Sequence, residues 1–244
     1  MHTDVAELRE FYTSPLGQMA QRWLRRHVQA LWPNLRGQKV LALGYGTPVL
    51  RPFLTETDRV LAFMPGAQGV VTWPSEGPNC TALVDETALP LLDASVDRVI
   101  LLHALEGASQ PARLLDEAWR ILTSGGRLMV IAPNRTGWWA ISDATPFGHG
   151  TAFSQRQIRH LLKTHGFIPE QSRGGLFFPP SAGRIARTLA PLLEHSGPSW
   201  LGAVAGVHLI EASKQLYAPT GKPALAKTYR ANLVQPKPVS LRVR

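Results

Sequence analysis

Short apolar runs alternate with helical patterns along most of the chain, and this alternation restricts the fold more than any other feature. The runs "KVLAL", "RVLAFM", "CTALV", "RVILLHAL" and "RLMVIAP" are each long enough for one buried strand. Two later runs, near "FIPEQSRGGLFF" and "AGVHLIEASKQL", predict two further strands. Because parallel strands need long crossovers, this order predicts an α/β fold with a mostly parallel sheet covered by helices on both faces. The last two strands lack a helical crossover, so we expect an antiparallel strand at that edge of the sheet.

The segments on either side of this alternating region differ from it in composition. The apolar residues of "PLGQMAQRWLRRHVQALW" fall on one helical stripe, which predicts an N-terminal helical cap over residues 1–38. The main domain is predicted at 39–217, with a lid segment at 133–153 and a helical insert at 179–203. Residues 218–244 contain six basic residues, four prolines and no acid, so we expect a disordered basic tail. Such a tail either solubilises the protein or contacts nucleic acid, an acidic membrane or a protein partner.

Composition excludes several kinds of site. The chain has no run of about 18 uncharged apolar residues, so no membrane span is predicted. The N-terminal "MHTDVAELRE" carries acids and lacks the apolar segment of a secretory signal, and we expect a cytoplasmic protein. Cys80 is the only cysteine, which excludes an internal disulfide, a thiolate zinc cluster and an iron–sulfur site. The eight histidines are scattered along the chain, and no metal site is predicted.

A glycine-rich loop follows the first predicted strand, in "KVLALGYGTPVL", and "TPVLRPFL" after it predicts a helix with proline in its first turn. In parallel sheets, ligands bind beyond the carboxyl ends of the strands, and glycine lets the backbone approach a ligand closely. Asp85 follows "CTALV" and His103 ends the fourth strand, so both are expected at the same edge of the sheet. The alternative is that the glycines only form a tight turn, that Asp85 caps a turn and that His103 satisfies a buried carbonyl group.

The order "VLALGYG … VDETALPLLDASVDRVILLHALEGASQPARLLDEAWRILTSGGRLMVIAPN" resembles a class I S-adenosylmethionine-dependent methyltransferase of the small-molecule (type 11) group. The resemblance covers about residues 39–135, and "GVHLIEASKQ" extends it to about residue 217. "LREFYTSPLG", "WAISDATPFGHG" and "FSQRQIRHLL" are similar to a bacterial branch of the same superfamily. The resemblance implies a Rossmann-like, seven-stranded fold, S-adenosylmethionine as cofactor and S-adenosylhomocysteine as product.

The resemblance also implies roles for individual residues. Gly44 and Gly46 would approach the methionine part of the cofactor, and Asp85 would contact the adenine amino group. Leu102 to Ala104 would line the face on which the methyl group is transferred. The full implied cofactor-binding set is Gly44, Tyr45, Gly46, Thr47, Phe63, Met64, Asp85, Glu86, Thr87, Leu102, His103 and Ala104.

Three positions depart from the family pattern. Ala42 stands where the family commonly has an acid, and Pro48 stands where it has a glycine. After the second strand, Phe63 and Met64 replace the acid that binds the ribose hydroxyls. Losing a charge-assisted hydrogen bond costs about 1.5 to 3 kcal/mol. Glu56, Asp58 or a backbone carbonyl are the alternatives that the sequence offers as substitutes.

Methyl transfer from a sulfonium is an in-line displacement, which depends mainly on holding donor and acceptor in position. Aromatic and titratable residues crowd the segment after the fifth strand, where they suit a lid that excludes water. His103 or His149 is the predicted general base if the acceptor carries a proton. The alternative is a hydrophobic flap that seals the core. The predicted substrate-lid residues are Tyr12, Asn134, Trp138, Trp139, Asp143 and Phe147.

Two functions fit these patterns. The first is an S-adenosylmethionine-dependent methyltransferase that acts on a small-molecule or macromolecular acceptor. The second is a catalytically inactive protein of the same fold, acting as a binding or regulatory subunit of a complex, which Ala42, Pro48, Met64 and the basic tail favour. A nicotinamide-dependent dehydrogenase fits poorly, because the loop lacks a third glycine and the second strand lacks its acid.

Overall fold

The computed structural model describes residues 2–180 and 205–216, in which seven strands form one sheet in the order β3-β2-β1-β4-β5-β7-β6. The strands are β1 Lys39–Gly44, β2 Arg59–Pro65, β3 Thr81–Val84, β4 Val96–Leu102, β5 Leu122–Pro133, β6 Phe167–Gly175 and β7 Val207–Lys214. The helices are α1 Val5–Thr13, α2 Pro15–Leu31, α3 Thr47–Leu50, α4 Pro111–Ile121 and α5 Gln155–Thr164. Three 3-10 turns lie at Arg51–Thr55, Trp138–Ile141 and Pro146–Gly148.

The sheet confirms the predicted topology. The pairs β1–β2, β2–β3, β1–β4 and β4–β5 are parallel. β7 runs antiparallel to both β5 and β6, so it lies one place in from the edge and β6 forms the edge. The strand order reverses between β1 and β4, which places a crevice at the carboxyl ends of these two strands.

The element after β1 differs from the prediction. "TPVLRPFL" was expected to form one helix, but it forms the four-residue α3 followed by a 3-10 turn. Pro52 has no amide hydrogen to donate to the carbonyl oxygen of Pro48, so the α-helical hydrogen-bond pattern stops there, although Arg51 itself keeps α-region angles of φ −52° and ψ −40°. The carbonyl oxygen of Pro48 accepts hydrogen bonds from Gln21 and Arg25 of α2, which anchor this short element to the N-terminal cap.

Each face of the sheet has its own core. The stripe of α2 predicted from sequence packs Ala20, Trp23, Leu24 and Val28 against one face. α4 and α5 cover the other face through Leu114, Leu115, Ala118, Ile158 and Leu162.

The N-terminal cap consists of two helices rather than one. Ser14 separates them, since its backbone N–H closes the end of α1 and its side chain accepts a hydrogen bond from Gly17 at the start of α2. Gly17 packs directly on the backbone of Phe11 and Tyr12, where a larger residue would not fit. The direction in which α1 leaves α2 therefore depends on Ser14 and Gly17.

Two predicted segments lie outside the described residues. These are the helical insert at 179–203, apart from its first two positions, and the basic tail at 218–244. Within the described ranges, no helix is both long and apolar enough to cross a membrane. The same residues contain no group of three or more histidine, cysteine or acidic side chains that could hold a metal ion.

β7 carries two buried polar side chains, Glu211 and His208. Glu211 accepts a hydrogen bond from Nε1 of Trp32 at 2.8 Å and pairs with Arg127 at 3.2 Å. His208 is also buried, and its Nε2 has no hydrogen-bond partner among the described residues. Burial lowers the pKa of His208 to about 4 from the ordinary value of 6.5.

His208 is expected to make the fold sensitive to mild acid. Between pH 6.5 and pH 4 the unfolded chain binds a proton at this imidazole and the folded chain does not. The free energy of unfolding should therefore fall as the pH falls through this window, by about 1.4 kcal/mol per pH unit from this group alone. Urea titrations at several pH values should show a smaller fall for His208→Asn than for the wild type. Equal pH dependence of the two proteins would contradict the assignment.

Candidate functional site

The glycine loop after β1 is held by the chain itself. Gly44 has φ +89°, and the N–H of Tyr45 donates to the carbonyl oxygen of Leu102 on the neighbouring strand at 2.8 Å. A Cβ on Gly44 would overlap with that carbonyl oxygen and lie 2.9 Å from the Cβ of Ala104. A Cβ on Gly46 would overlap with the Cβ of Ala42. Both glycines are thus required by the packing of this loop, before any ligand is considered.

The packing of Ala42 against Gly46 accounts for the absence of an acid at position 42, which is one departure from the family pattern. Ala42 is fully buried and belongs to the core on the α2 face, directly against the position of Gly46. Glu56 and Asp58, the acids that the sequence offered as substitutes, do not replace the missing carboxylate. Both are exposed and precede β2, and the Asp58 N–H donates to Gln38 just before β1, at the amino end of the sheet.

A cavity of about 590 Å³ opens at the carboxyl ends of β2, β3 and β4. Gly66 lines it after β2, and the nearest atom to a Cβ at Gly66 would be the carbonyl oxygen of Val84 at 4.0 Å. The backbone here is accessible to a ligand, in contrast to the packed backbone at Gly44. Further lining residues are His2, Asp85, Glu86, Thr87, Ser109 and Gln110.

The two acids predicted at the end of β3 have different environments. Asp85 is exposed, and its Oδ1 accepts hydrogen bonds from both the N–H and the hydroxyl of Thr87, at 2.8 and 2.7 Å. These hydrogen bonds lower the pKa of Asp85, and they show that it caps a turn, as the alternative interpretation expected. Glu86 is buried, and its Oε2 accepts a hydrogen bond from Nε2 of His2 at 2.9 Å.

α1 covers the other half of the crevice. Tyr12 stacks on Tyr45 with ring centroids 5.7 Å apart, and both pack with Leu8 and Met64 in one buried cluster. The positions that the resemblance assigned to the methionine end of the cofactor therefore lie beneath the protein's own side chains. Burial raises the pKa of Tyr12 well above 10, and the charge of Glu106 raises it further.

His103 lies at the centre of the covered region. Its backbone has φ +53°, its Nε2 is hydrogen-bonded to the Tyr12 hydroxyl at 2.8 Å, and its ring packs on Phe147 with centroids 4.7 Å apart. Its carbonyl oxygen accepts a hydrogen bond from Nε2 of Gln68 at 3.1 Å. A non-glycine residue with positive φ is uncommon and is concentrated at functional sites.

Glu106 is a site residue that the sequence reasoning missed. It is 5% exposed, and among the described residues neither of its carboxylate oxygens has a hydrogen-bond partner. Oε1 lies 3.3 Å from Nδ1 of His103, within ion-pair distance but without hydrogen-bond geometry. A buried carboxylate is costly unless it is paired. The signal was present in "LLHALEG", where Glu106 is the first acid after β4.

The remaining cofactor positions divide between the two cores. Leu102 belongs to the α2 face, whereas Phe63 and Ala104 belong to the face covered by α4 and α5. Thr47 is buried at the start of α3. None of these side chains is among the described residues that line the open cavity.

The predicted lid segment is partly core and partly exposed. Trp139 is fully buried and donates from Nε1 to the carbonyl oxygen of Phe178 at 2.7 Å. Phe147 packs on Trp139 with centroids 5.5 Å apart. Trp138 and Asp143 are exposed. This pattern agrees with a flap that seals the core on one side and faces solvent on the other.

Asn134 and His149 lie at opposite ends of this segment. Asn134 is buried, accepts hydrogen bonds from Thr136 and donates to the carbonyl oxygen of Ala205 at 2.7 Å. His149 is half-buried, with Nδ1 3.4 Å from the hydroxyl of Thr3. His103, unlike His149, is in contact with Tyr12 and Glu106 and is therefore the histidine at the crevice.

Comparison with known proteins supports one family. A family model described as "Methyltransferase domain" matches residues 67–130. The probable S-adenosylmethionine-dependent methyltransferase MT3114 of Mycobacterium tuberculosis is 32% identical over 165 residues, which cover 65% of this chain and 60% of that protein. The chain thus spans less than two thirds of the length of this relative.

Solved structures of low sequence identity share the fold. A methyltransferase in complex with the Trm112 methyltransferase activator of Haloferax volcanii has a TM-score of 0.60 at 19% identity, covering 86% of this chain and 98% of that chain. The 1,6-didemethyltoxoflavin-N1-methyltransferase of Burkholderia thailandensis, with bound S-adenosylhomocysteine, has a TM-score of 0.52 at 17% identity, covering 80% of this chain and 78% of that chain.

Proposed function

We propose that this chain is a class I S-adenosylmethionine-dependent methyltransferase, which transfers the methyl group of S-adenosylmethionine to an acceptor by in-line displacement. The observation that carries the proposal is the cavity at the carboxyl ends of β2, β3 and β4, beside the point where the strand order reverses. The acceptor is a small molecule or a macromolecule, and we expect the protein to act in the cytoplasm.

The residues around the cavity fit the nucleoside end of the cofactor. Gly66 leaves the backbone after β2 accessible, and Asp85 presents a carboxylate at the end of β3. Oδ1 of Asp85 is already engaged by Thr87, which fixes the orientation of the carboxylate relative to the cavity. Asp85 would contact the adenine amino group, with Glu86 beside it.

Glu106 fits the positively charged end of the cofactor. A buried carboxylate with two oxygens that accept no hydrogen bond is stabilised by a cation, and S-adenosylmethionine carries an ammonium and a sulfonium. Glu106 would thus supply the negative charge that is missing at Ala42 and Met64. When bound, the cofactor supplies an electrophilic methyl group.

α1 controls access to this end of the site. Tyr12, Leu8 and Tyr45 fill the space next to Met64, so the methionine portion requires α1 or these side chains to move. The Tyr12 hydroxyl leaves Nε2 of His103 in that movement, and Nε2 then becomes free to take a proton from an acceptor. Glu106, 3.3 Å from Nδ1 of His103, would stabilise the protonated imidazole. The buried rings of Phe147 and Trp139 exclude water on the far side of His103.

We also propose that the chain has a protein partner. The Haloferax neighbour is in complex with an activator protein, which supports a protein partner for this chain. Contact of the basic segment 218–244 with nucleic acid or protein rests on the sequence alone.

Calorimetric titration with S-adenosylmethionine and S-adenosylhomocysteine tests the proposal. We expect micromolar binding of both ligands, weakened about tenfold or more by Asp85→Ala, because a hydrogen bond to a charged group contributes about 1.5 to 3 kcal/mol. Glu76→Ala is the matched control, since Glu76 is an exposed acid on the loop between β2 and β3, outside the lining of the cavity. No binding by the wild type up to millimolar ligand would reject the enzyme and favour a non-catalytic binding subunit.

A further inference from the structure

A second cavity, of about 580 Å³, lies between α5, the segment that follows β5 and the start of β7. Its lining shares no described residue with the cavity at β2, β3 and β4. Four basic or titratable side chains reach it from α5, at sequence spacings of three, four and seven residues, so they form one stripe along the helix. These residues are Arg156, Arg159, His160 and Lys163.

This stripe has no counter-charge among the described residues. None of its four side chains forms an ion pair with another described residue, and no acidic residue is among the described residues that line the cavity. Two described arginines elsewhere in the fold do form ion pairs: Arg120 with Asp93 and Glu117, and Arg127 with Glu170 and Glu211. The cations on α5 therefore line a cavity in which no acidic partner stands among the described residues.

One member of the stripe is held in place. Nη1 of Arg159 donates to the hydroxyl of Ser172 on β6 at 3.1 Å. This hydrogen bond orients the guanidinium and leaves its other N–H groups available. An oriented guanidinium binds oxyanions through parallel hydrogen bonds.

A buried polar group meets the same cavity from the sheet. His208 on β7 lines it, is 6% exposed, and has an Nε2 without a hydrogen-bond partner among the described residues. Such groups are uncommon in folded proteins and point to a missing partner. Ser154, which caps α5, and Gln155 also line the cavity, so its wall combines cations, neutral donors and the positive end of a helix.

We propose that this cavity binds the phosphate group of a phosphorylated ligand. The cavity is lined by three permanent positive charges, on Arg156, Arg159 and Lys163. A single carboxylate would neutralise only one of them, whereas a phosphomonoester or a diphosphate carries about two negative charges or more. The proposal does not rest on cofactor binding or on methyl transfer, because the two cavities are separate. A free phosphorylated metabolite and a phospholipid headgroup share this chemistry.

Inorganic pyrophosphate is the probe for the first test, with the full-length protein titrated by calorimetry. The expected result is saturable binding that Arg156→Gln/Lys163→Gln weakens about tenfold or more, since both lost contacts are charge-assisted. Glutamine keeps a long side chain and good helix propensity on α5, and both positions are exposed. Arg22→Gln/Arg26→Gln is the matched control, because it removes two exposed charges from α2 and leaves the basic tail intact.

A second variant distinguishes a built site from a charged surface. His208→Asn retains the net charge at neutral pH, where the pKa of about 4 keeps His208 uncharged, and should also weaken pyrophosphate binding. Equal loss in the α2 control, or no saturable binding by the wild type, would overturn the proposal. Vesicles with and without phosphatidate distinguish a phospholipid headgroup from a free metabolite as the ligand. If the protein binds phosphatidate vesicles and pyrophosphate displaces it from them, the ligand is a headgroup. If the protein does not bind these vesicles, the ligand is a free phosphorylated metabolite.

Discussion

Gly44→Ala is expected to lower the free energy of unfolding by about 2 to 5 kcal/mol, whether or not a cofactor is present. The added Cβ would overlap with the carbonyl oxygen of Leu102 and press on the Cβ of Ala104, at a residue with φ +89°. Neither neighbour can move easily, because both lie at the end of β4 and are fully buried. Urea unfolding followed by circular dichroism measures the loss.

Gly37→Ala is the matched control for this substitution. Gly37 has φ +74°, similar to Gly44, but a Cβ there would meet no atom within 4 Å. It should cost only the conformational strain, about 1 to 2 kcal/mol. The difference between the two variants measures the close approach of β1 and β4. Equal losses would show that the loop relaxes around the new methyl group, and that Gly44 is retained for another reason.

Glu106→Gln is expected to weaken binding of S-adenosylmethionine about ten- to a hundredfold without destabilising the protein. Glutamine has the same shape but no charge. Since neither carboxylate oxygen accepts a hydrogen bond, removing the buried charge should leave the unfolding free energy unchanged or raise it. Calorimetry for affinity and urea unfolding for stability are the two measurements.

A comparison of two ligands shows which cation Glu106 faces. S-adenosylhomocysteine keeps the ammonium of the cofactor but lacks the sulfonium charge. If Glu106 faces the ammonium, Glu106→Gln weakens both ligands equally. If it faces the sulfonium, S-adenosylmethionine loses more. Unchanged affinity for both would exclude Glu106 from the cofactor site.

Glu211→Gln is the stability control for this experiment. Glu211 is as buried as Glu106, but it accepts a hydrogen bond from Trp32 and pairs with Arg127. Its substitution should cost about 1 to 3 kcal/mol, because Arg127 loses a buried partner. Glutamine substitution of these two buried glutamates is thus expected to change the free energy of unfolding differently. The reason is that the fold supplies Glu211, but not Glu106, with a hydrogen-bond donor and a pairing arginine.

The closed arrangement of α1 affects how both ligand experiments are interpreted. Tyr12 and Tyr45 pack against Met64, so the proposed binding of the methionine end would use part of its energy to separate them. Apparent affinity is reduced by the fraction of molecules in which the site is closed. Comparison of mutants with the wild type, rather than absolute affinity, is therefore the informative quantity.

The amino-acid sequence by itself determined the strand and helix order, the glycine loop after β1 and the position of Asp85 at the end of β3. These features are local: apolar periodicity reports which residues of a segment are buried, and strand alternation limits how segments connect. The same locality explains the misjudged helix after β1, where Pro52 outweighed the apolar pattern.

Only the tertiary structure decided which elements meet at the site. Tyr12 and His103, whose side chains are hydrogen-bonded to each other, are 91 positions apart in the sequence. Position 46 needs a glycine only because the loop folds back on β1, where a Cβ at this position would overlap with the Cβ of Ala42. Periodicity distinguished neither Trp138, which is exposed, from the buried Trp139, nor Glu106 from an ordinary surface acid. A sequence pattern indicates that a side chain is covered but not by what, because the covering residue comes from a distant part of the chain.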